Sequence, residues 1–535
     1  NIMALHMVDD PQSQDDYDDS NNSNRNTTNT GGTGGGLLNF LPLLFSLFRG
    51  GGGGSGGRRG GKGIFLLLLV GVGAYFLLGR SGCDTGSVIN SIFSKSGYNF
   101  SAQEFSKAKV YEGLEDDNVK NPLPEAVSLA AFAPKRLNQG KQGSCVAWSS
   151  AYAARTILEA ASTSQDPNQV AYSPAFVYNN IALDDCQGSY IQRAMEFMQN
   201  RGALPLKEFQ YDENNCTRMA NGDLMVKASQ NAIHGFTRLT ESDGVNGLNI
   251  RAVKEHLSKD APVVIGMMVG QSFMQGMLGQ KVWHPDQSDY QQVGFGGHAM
   301  CVIGYDDRVE GGVFQIMNSW GPEWGQSGIG YVRYGDFKEF VREAYGLDPL
   351  PKRGAALNIA FACSVGLMNN NTKQPIALKS FDGNVFKTIA PIKKGTKFKM
   401  EIKNALECYI YIFTPDQAGS KSIVLFPYKP IHSAYCGITG YRLFPRKESI
   451  MADDAGNKEI MAVVVSKSEL DYNALNTAIN NSNQPNFAAK VNEAVAGNAL
   501  KNVKYTASAD GKINFNASVQ NSNNVVATIV EMDKQ

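Results

Sequence analysis

Three short segments, far apart in the 535-residue chain, leave its middle part little freedom in how it folds. Residues 139–149 read Gln-Gly-Lys-Gln-Gly-Ser-Cys-Val-Ala-Trp-Ser, which sets Cys145 where a Gly-Ser turn opens a helix. His298 follows in Gly297-His298-Ala299, 153 residues on, and Asn318 in Asn318-Ser319-Trp320-Gly321 comes another 20 on. Cysteine, histidine and asparagine in that order suit a thiol nucleophile, a proton carrier and the group that orients the carrier. A fold that uses them must bring a helix start against a pair of strands.

The chemistry explains these residue types. A thiol of ordinary pKa, about 8.5, is mostly protonated at neutral pH, and only the thiolate attacks well. Ser144 is a candidate N-cap, and the run from Val146 through Ile157, Leu158 and Ala161 is helix-forming with a largely apolar face. Cys145 then sits in the first turn, where the helix dipole favours negative charge. An imidazolium at His298 would stabilise the thiolate and later protonate a leaving amine. Residues 300–305 and 313–317 are apolar runs around the turn-rich 306–312, a hairpin signature. Pairing Tyr305 with Gly312 puts His298 opposite Ser319, beside Asn318, at the roughly 5 Å of cross-strand neighbours. Gly294, Gly296 and Gly297 leave room for a substrate backbone near the histidine.

Other readings of these residues are weaker. A lone cysteine before an Ala-rich helix is by default a buried core residue, and only its company sets Cys145 apart. His298 and Cys301 could suggest a metal pair, but odd spacing on a strand sends them to opposite faces, with no second Cys/His pair nearby. Neither a metal nor an organic cofactor is expected. His6, His234, His256, His284 and His432 have no comparable company and read as surface or core fillers.

With these motifs in view, residues 123–345 resemble the papain family of cysteine peptidases. Residues 123–127, Leu-Pro-Glu-Ala-Val, are similar to the start of the mature enzyme there. Asn318-Ser319-Trp320-Gly321-Pro322-Glu323-Trp324-Gly325 matches the family run Asn-Ser-Trp-Gly-x-x-Trp-Gly. The resemblance implies an α+β, two-lobed domain with a helical half led by the Cys145 helix and a β half carrying His298 and Asn318. It makes Cys145 the nucleophile, His298 the acid/base and Asn318 its orienter. Gln139, in Asn138-Gln139-Gly140, becomes an oxyanion-hole donor beside the Cys145 N–H. Trp320 shields the Asn–His bond and borders the leaving-group side. Cys186-Gln187-Gly188-Ser189 is similar to the stretch whose backbone pairs with substrate, so Gly188, Ser189, Gly297 and Trp320 are the expected substrate-binding residues.

The chain also departs from the family pattern. Gln142 stands where a second cysteine usually precedes the nucleophile, so one usual disulfide is missing. The resemblance then suggests Cys186–Cys216 as the candidate bridge. Val146 replaces the aromatic after the nucleophile, and Ser189 replaces a glycine. Residues 80–122 are read as a connector too short for the family's long helical propeptide, so autoinhibition by a large prosegment is not expected.

Outside this region composition is the guide. The formal net charge is zero, which offers no case for nucleic acid. Residues 9–19 hold six Asp and no Lys or Arg, and an Asn/Thr/Gly tract follows, so residues 1–36 are expected to be disordered. Residues 37–62 pair a short interfacial apolar stretch with a Gly-rich linker. Arg58, Arg59 and Lys62 precede residues 63–79, seventeen uncharged and largely apolar residues, expected to be a transmembrane helix with a cytoplasmic N-terminus. The catalytic domain (123–350) would then be periplasmic or extracellular, where eight cysteines permit one or two bridges. Residues 355–535 carry alternating stretches at 398–402, 408–413, 422–426 and 460–465, a partly helical 474–500 and a last strand at 525–532. They resemble a β-rich domain of unknown function that follows peptidase modules in bacterial envelope proteins, which implies an envelope partner.

The reading is a membrane-anchored cysteine endopeptidase acting on a protein or peptide substrate. Its rivals are a transpeptidase or transamidase using the same triad, and a non-catalytic envelope scaffold on an inactive peptidase fold.

Overall fold

Small side chains let one helical run pass through the middle of the catalytic domain. Cys145, Val146, Ala147, Ala151, Ala154 and Ile157 are fully buried along it. The run is α-helical over Cys145–Ala147, widens to a π-helix over Trp148–Arg155 and returns to α over Thr156–Thr163. The hydroxyls of Ser149 and Ser150 both donate to the Val146 carbonyl, at 3.0 and 2.6 Å. Side chains thus take up an acceptor of the α ladder where the helix widens. In this computed structural model residues 6–9, 97–241, 247–292, 295–353, 360–416, 418–518 and 524–535 are described. They all fall in one of two compact units, formed by Asn1–Asp10 with Ser91–Gln535.

The helices Pro174–Ile181 and Ile191–Asn200 share the apolar core of the Cys145 helix. The other half of the domain is a sheet in the order Phe236–Arg238, Val341–Leu347, Val263–Val269, Gly296–Asp306, Val313–Met317, Ile329–Arg333, Val282–Trp283. The expected hairpin is there, but its register is not Tyr305 with Gly312. Tyr305 pairs with Phe314, and a bulge between Val302 and Gly304 shifts the ladder to Cys301 opposite Met317. Gly304 sits where the strand Ala126–Ser128 crosses; a Cβ there would lie 2.4 Å from the Val127 carbonyl oxygen. Continued two residues past Met300, this register sets His298 opposite Trp320.

The C-terminal region is built of two sheets that share a core of Phe398, Met400, Ile402, Ile410, Ile412, Val463 and Val530. Short apolar and alternating runs in the sequence mark the strands Lys397–Asn404, Cys408–Pro415, Ser422–Phe426, Lys458–Ser466 and Val525–Asp533. The helices Tyr472–Asn481 and Phe487–Val495, capped by the side chains of Asp471 and Asn486, cover a second core around Tyr411, Phe413 and Val464.

Two expectations change here. Within the segment expected to be disordered, His6–Asp9 is a strand antiparallel to Glu448–Met451, since an open sheet edge can pair even a short stretch of chain. Residues 97–121 are not a bare connector; they are packed along both domains, as described below. Among the described residues no helix is long and apolar enough to cross a membrane. The segment 63–79, the interfacial stretch and the rest of the acidic tail lie outside them.

Candidate active site

Ser144 occupies the N-cap position but does not cap. Its φ and ψ are −105° and 16°, and its hydroxyl is 2.7 Å from the Tyr211 hydroxyl instead of an N–H of the first turn. Tyr211 in turn donates to the Gln139 carbonyl at 2.7 Å, so the turn before the helix is held from the side. Cys145 follows, fully buried. The N–H of Ala299, the residue after His298, donates to its sulfur at 3.4 Å. Strand and helix start therefore meet at the thiol.

His298 is also fully buried, and its Nε2 lies 2.8 Å from Asn318 Oδ1. The Ser319 N–H donates to the same oxygen at 2.7 Å, which identifies it as the amide oxygen. An oxygen there makes Nε2 the protonated nitrogen and leaves Nδ1 as the base in the neutral ring. Trp320 stacks on the imidazole, centroids 4.1 Å apart and planes 21° off parallel, in keeping with the shifted register. Gln139 is buried beside them. Its Nε2 donates to the Gln142 carbonyl at 3.0 Å, and its Oε1 accepts from the Ser319 hydroxyl at 2.6 Å. The structure thus groups Cys145, His298, Asn318 and Gln139, with Ser319 as a link that the sequence motif contains but whose role was not read from it.

Cys186 and Cys216 form a disulfide, which anchors the loop carrying Gly188 and Ser189. That loop is already paired. The Ser189 N–H donates to the Gly97 carbonyl at 2.9 Å, and the Asn99 N–H donates to the Ser189 carbonyl at 3.0 Å. Asn99 Nδ2 adds a bond to the Gln187 carbonyl at 3.0 Å. A Cβ on Gly97 would lie 2.0 Å from the Gly143 carbonyl oxygen, two residues before Cys145, and its φ of +99° favours glycine. The Tyr98 ring lies over Gly266 and the Tyr98 carbonyl over Gly297; Cβ atoms there would come within 2.2 Å of Tyr98 Cζ and 2.6 Å of Tyr98 O. The segment Gly97–Asn99 therefore occupies the cleft and covers the expected substrate-binding residues Gly188, Ser189 and Gly297. No long helical prosegment is needed for this, because three residues suffice to fill the contacts. Gly-Tyr-Asn has no motif, so nothing in the sequence marked it.

At the end of the Tyr98 pocket lies Glu343. Its carboxylate accepts from the Tyr345 hydroxyl at 2.6 Å and faces the Tyr98 hydroxyl without closing a well-formed hydrogen bond. Burial pushes Glu343 up to about 7. The adjacent charges Arg342 and Glu343 in the strand Val341–Leu347 were the available signal for it.

Burial also governs the two reacting groups in this closed state. It pushes the Cys145 thiol up to about 12, against the smaller pull of the Ala299 N–H and the N–H groups at the helix start. It pushes His298 down to about 4, against the Asn318 bond. The low-pKa thiolate expected from the helix start is therefore outweighed while the cleft is filled, and the pair rests as thiol and imidazole. Among the described residues no group of three or more His, Cys, Asp or Glu is arranged to hold a metal ion.

A thiol at a helix start, an oriented imidazole and a buried amide donor define acyl-transfer chemistry through a cysteine. Residues 130–344 match the family model described as papain family cysteine protease. Over these residues the chain matches the papain family, and the match supports a cysteine-type peptidase, a hydrolase. Cathepsin B-like CP2 of Giardia intestinalis is 28% identical over 219 residues, 39% of this chain and 68% of that protein. Cathepsin K of Mus musculus is 25% identical, over 36% of this chain and 53% of that protein. The chain thus spans between about half and two thirds of these two relatives. Among solved structures, xylellain, a cysteine protease from Xylella fastidiosa, is 22% identical and matches 48% of this chain and 97% of its own, with a TM-score of 0.40.

Proposed function

We propose that this chain is a membrane-tethered cysteine endopeptidase, held latent by its own residues 97–99. The observation that carries the reading is the meeting of the Ala299 N–H with Cys145 Sγ at 3.4 Å beside the 2.8 Å bond from His298 to Asn318. Once the cleft opens, solvent returns and the thiol proton passes to His298 Nδ1, giving a thiolate–imidazolium pair. The thiolate adds to the carbonyl carbon of the scissile peptide bond. The oxyanion takes hydrogen bonds from the Cys145 N–H and the Gln139 amide. The imidazolium protonates the leaving amine as the C–N bond breaks, leaving a thioester on Cys145. Water, deprotonated by the imidazole, then releases the acid and restores the thiol. Asn318 keeps Nδ1 as the base throughout, and Trp320 keeps water off its bond to the ring.

The tether is the apolar segment 63–79, whose basic approach at Arg58, Arg59 and Lys62 favours a cytoplasmic N-terminus and an exported catalytic domain. A reporter active only in the cytoplasm, fused after Gln535, should stay silent; activity would overturn the topology. For the chemistry, a peptide library incubated with the Tyr98→Ala chain, whose cleft the strap no longer fills, should be cut, and cutting should vanish when Cys145→Ala is added.

A further inference from the structure

The three residues in the cleft make a small contact: three backbone or amide hydrogen bonds and one ring. A free tripeptide with so few contacts would dwell there briefly, because association costs more than these contacts return. What keeps the segment in place is its attachment. Downstream of it, the short helix Ala102–Lys107 holds to the catalytic domain through Glu104, which pairs with the exposed Arg193, and through Arg238, which donates to the Phe105 carbonyl at 2.9 Å and stacks over its ring. Ion pairs with exposed partners add little.

The hold is different from Val110 onward. The Val110 N–H donates to the Ile431 carbonyl at 2.8 Å, and the Ser433 N–H donates to the Val110 carbonyl at 3.0 Å. The same residue bridges to Arg238 on its other side, so it lies between the two domains as a shared strand position. Arg442, fully buried, donates from Nε to the Glu112 carbonyl at 2.9 Å. The Glu115 N–H donates to the Tyr441 carbonyl at 2.8 Å. Asn121 then reads both polar groups of Tyr441, donating to its carbonyl at 3.0 Å and accepting from its N–H at 2.9 Å. Lys120 reaches the buried Glu401 at 2.8 Å. The strap's buried polar contacts are thus shared between the two domains. Tyr111 and Leu114 donate to the buried Glu255 of the catalytic domain at 3.1 and 3.2 Å, while Glu112, Glu115, Lys120 and Asn121 bond to the C-terminal domain. Such contacts are costly to break.

Only residues 100–109 separate the filled cleft from this grip. A tether that short gives its segment an effective concentration in the millimolar range. We propose that the C-terminal domain is one arm of a clasp: by gripping residues 110–121 alongside the catalytic domain's Arg238 and Glu255 it helps keep residues 97–99 on the cleft, and loosening residues 431–446 lets the cleft open more often. The inference rests on the latent-peptidase reading for its consequence, while its physical content is a coupling between two places in the strap.

The test uses the full-length chain in detergent, a thiol-reactive epoxide of the papain-directed type, and amide hydrogen exchange. Asn121→Ala removes the two cross-domain bonds to Tyr441 and touches nothing in the cleft. Gly113→Val attacks a second contact, since a Cβ there would lie 2.9 Å from the Arg446 guanidinium. In either variant, labelling of Cys145 should rise about tenfold, and exchange at Asn99 and Ser189 should speed up with that at Val110 and Glu115. Faster exchange at Val110 and Glu115, with Asn99, Ser189 and the labelling rate as in wild type, would overturn the clasp. Peptide turnover is read separately. Faster labelling in a chain that cleaves nothing retains the clasp and discards the peptidase reading.

Discussion

Truncating Tyr98 should open the cleft, by an amount the structure lets one work out. Tyr98 is 6% exposed, with its ring over the bare Cα of Gly266 and its carbonyl over Gly297. Removing a buried aromatic ring to Ala costs about 3 kcal/mol or more. Almost all of that cost falls on the closed state, because the ring has solvent around it once the strap leaves. At about 1.4 kcal/mol per factor of ten, the ratio of closed to open chains should fall close to a hundredfold. The second-order rate of Cys145 alkylation reads the open fraction, so it should climb by that factor or until every molecule is open. Tyr98→Phe loses only a hydroxyl that closes no well-formed bond, and should change the rate by about threefold at most. A Tyr98→Ala chain that keeps its near-ultraviolet circular dichroism and still labels at the wild-type rate refutes the reasoning.

Three further outcomes follow from the site. Closure should weaken with rising pH: Glu343 holds a proton up to about 7 under Tyr98 and falls toward its ordinary 4.5 once solvated, so closure is fullest below about 4.5 and is lost as pH climbs through 7. The labelling ratio of wild type to Tyr98→Ala should therefore rise over that window, and stay flat in Glu343→Gln. Gln139→Ala, made in the Tyr98→Ala background, should lower kcat by roughly two to three powers of ten with little change in KM; an unchanged kcat would leave Gln139 a packing residue linking Ser319 to the Gln142 turn. Cys216→Ser opens a loop with a sequence separation of 30 and should lower unfolding stability by about 3–4 kcal/mol, read by urea titration.

Much of this was legible in the residues themselves, and the exceptions have physical causes. Ser422–Phe426 could be bounded from sequence because an apolar run ends at Pro427 on one side and a Lys-Ser turn on the other. Cys145, His298 and Asn318 were legible because chemistry restricts which residues can stand there. The hairpin register was not, since the bulge at Gly304 answers to a third strand, Ala126–Ser128, that no local pattern announces. Ser144 illustrates the same limit: its N-cap propensity is real, but the Tyr211 hydroxyl from 67 residues away competes for it and wins. Gly97–Asn99 has neither periodicity nor motif, and its place is decided by Gly143, Gly188, Gly266 and Gly297, glycines whose missing side chains make the room. The thiol's resting state likewise depends on burial in the folded domain, which outweighs the helix start.

The central claim, that Cys145 is the nucleophile of a peptidase whose cleft its own strap fills, is tested most directly by mass spectrometry. The Tyr98→Ala chain is treated with the epoxide, and intact mass, tryptic map and peptide turnover are followed together. The account predicts one adduct, on Cys145, formed in step with loss of turnover, and neither adduct nor turnover in the Cys145→Ala, Tyr98→Ala double variant. Turnover that survives the loss of Cys145, or an adduct on Cys301 or another thiol with Cys145 unmodified, would contradict it.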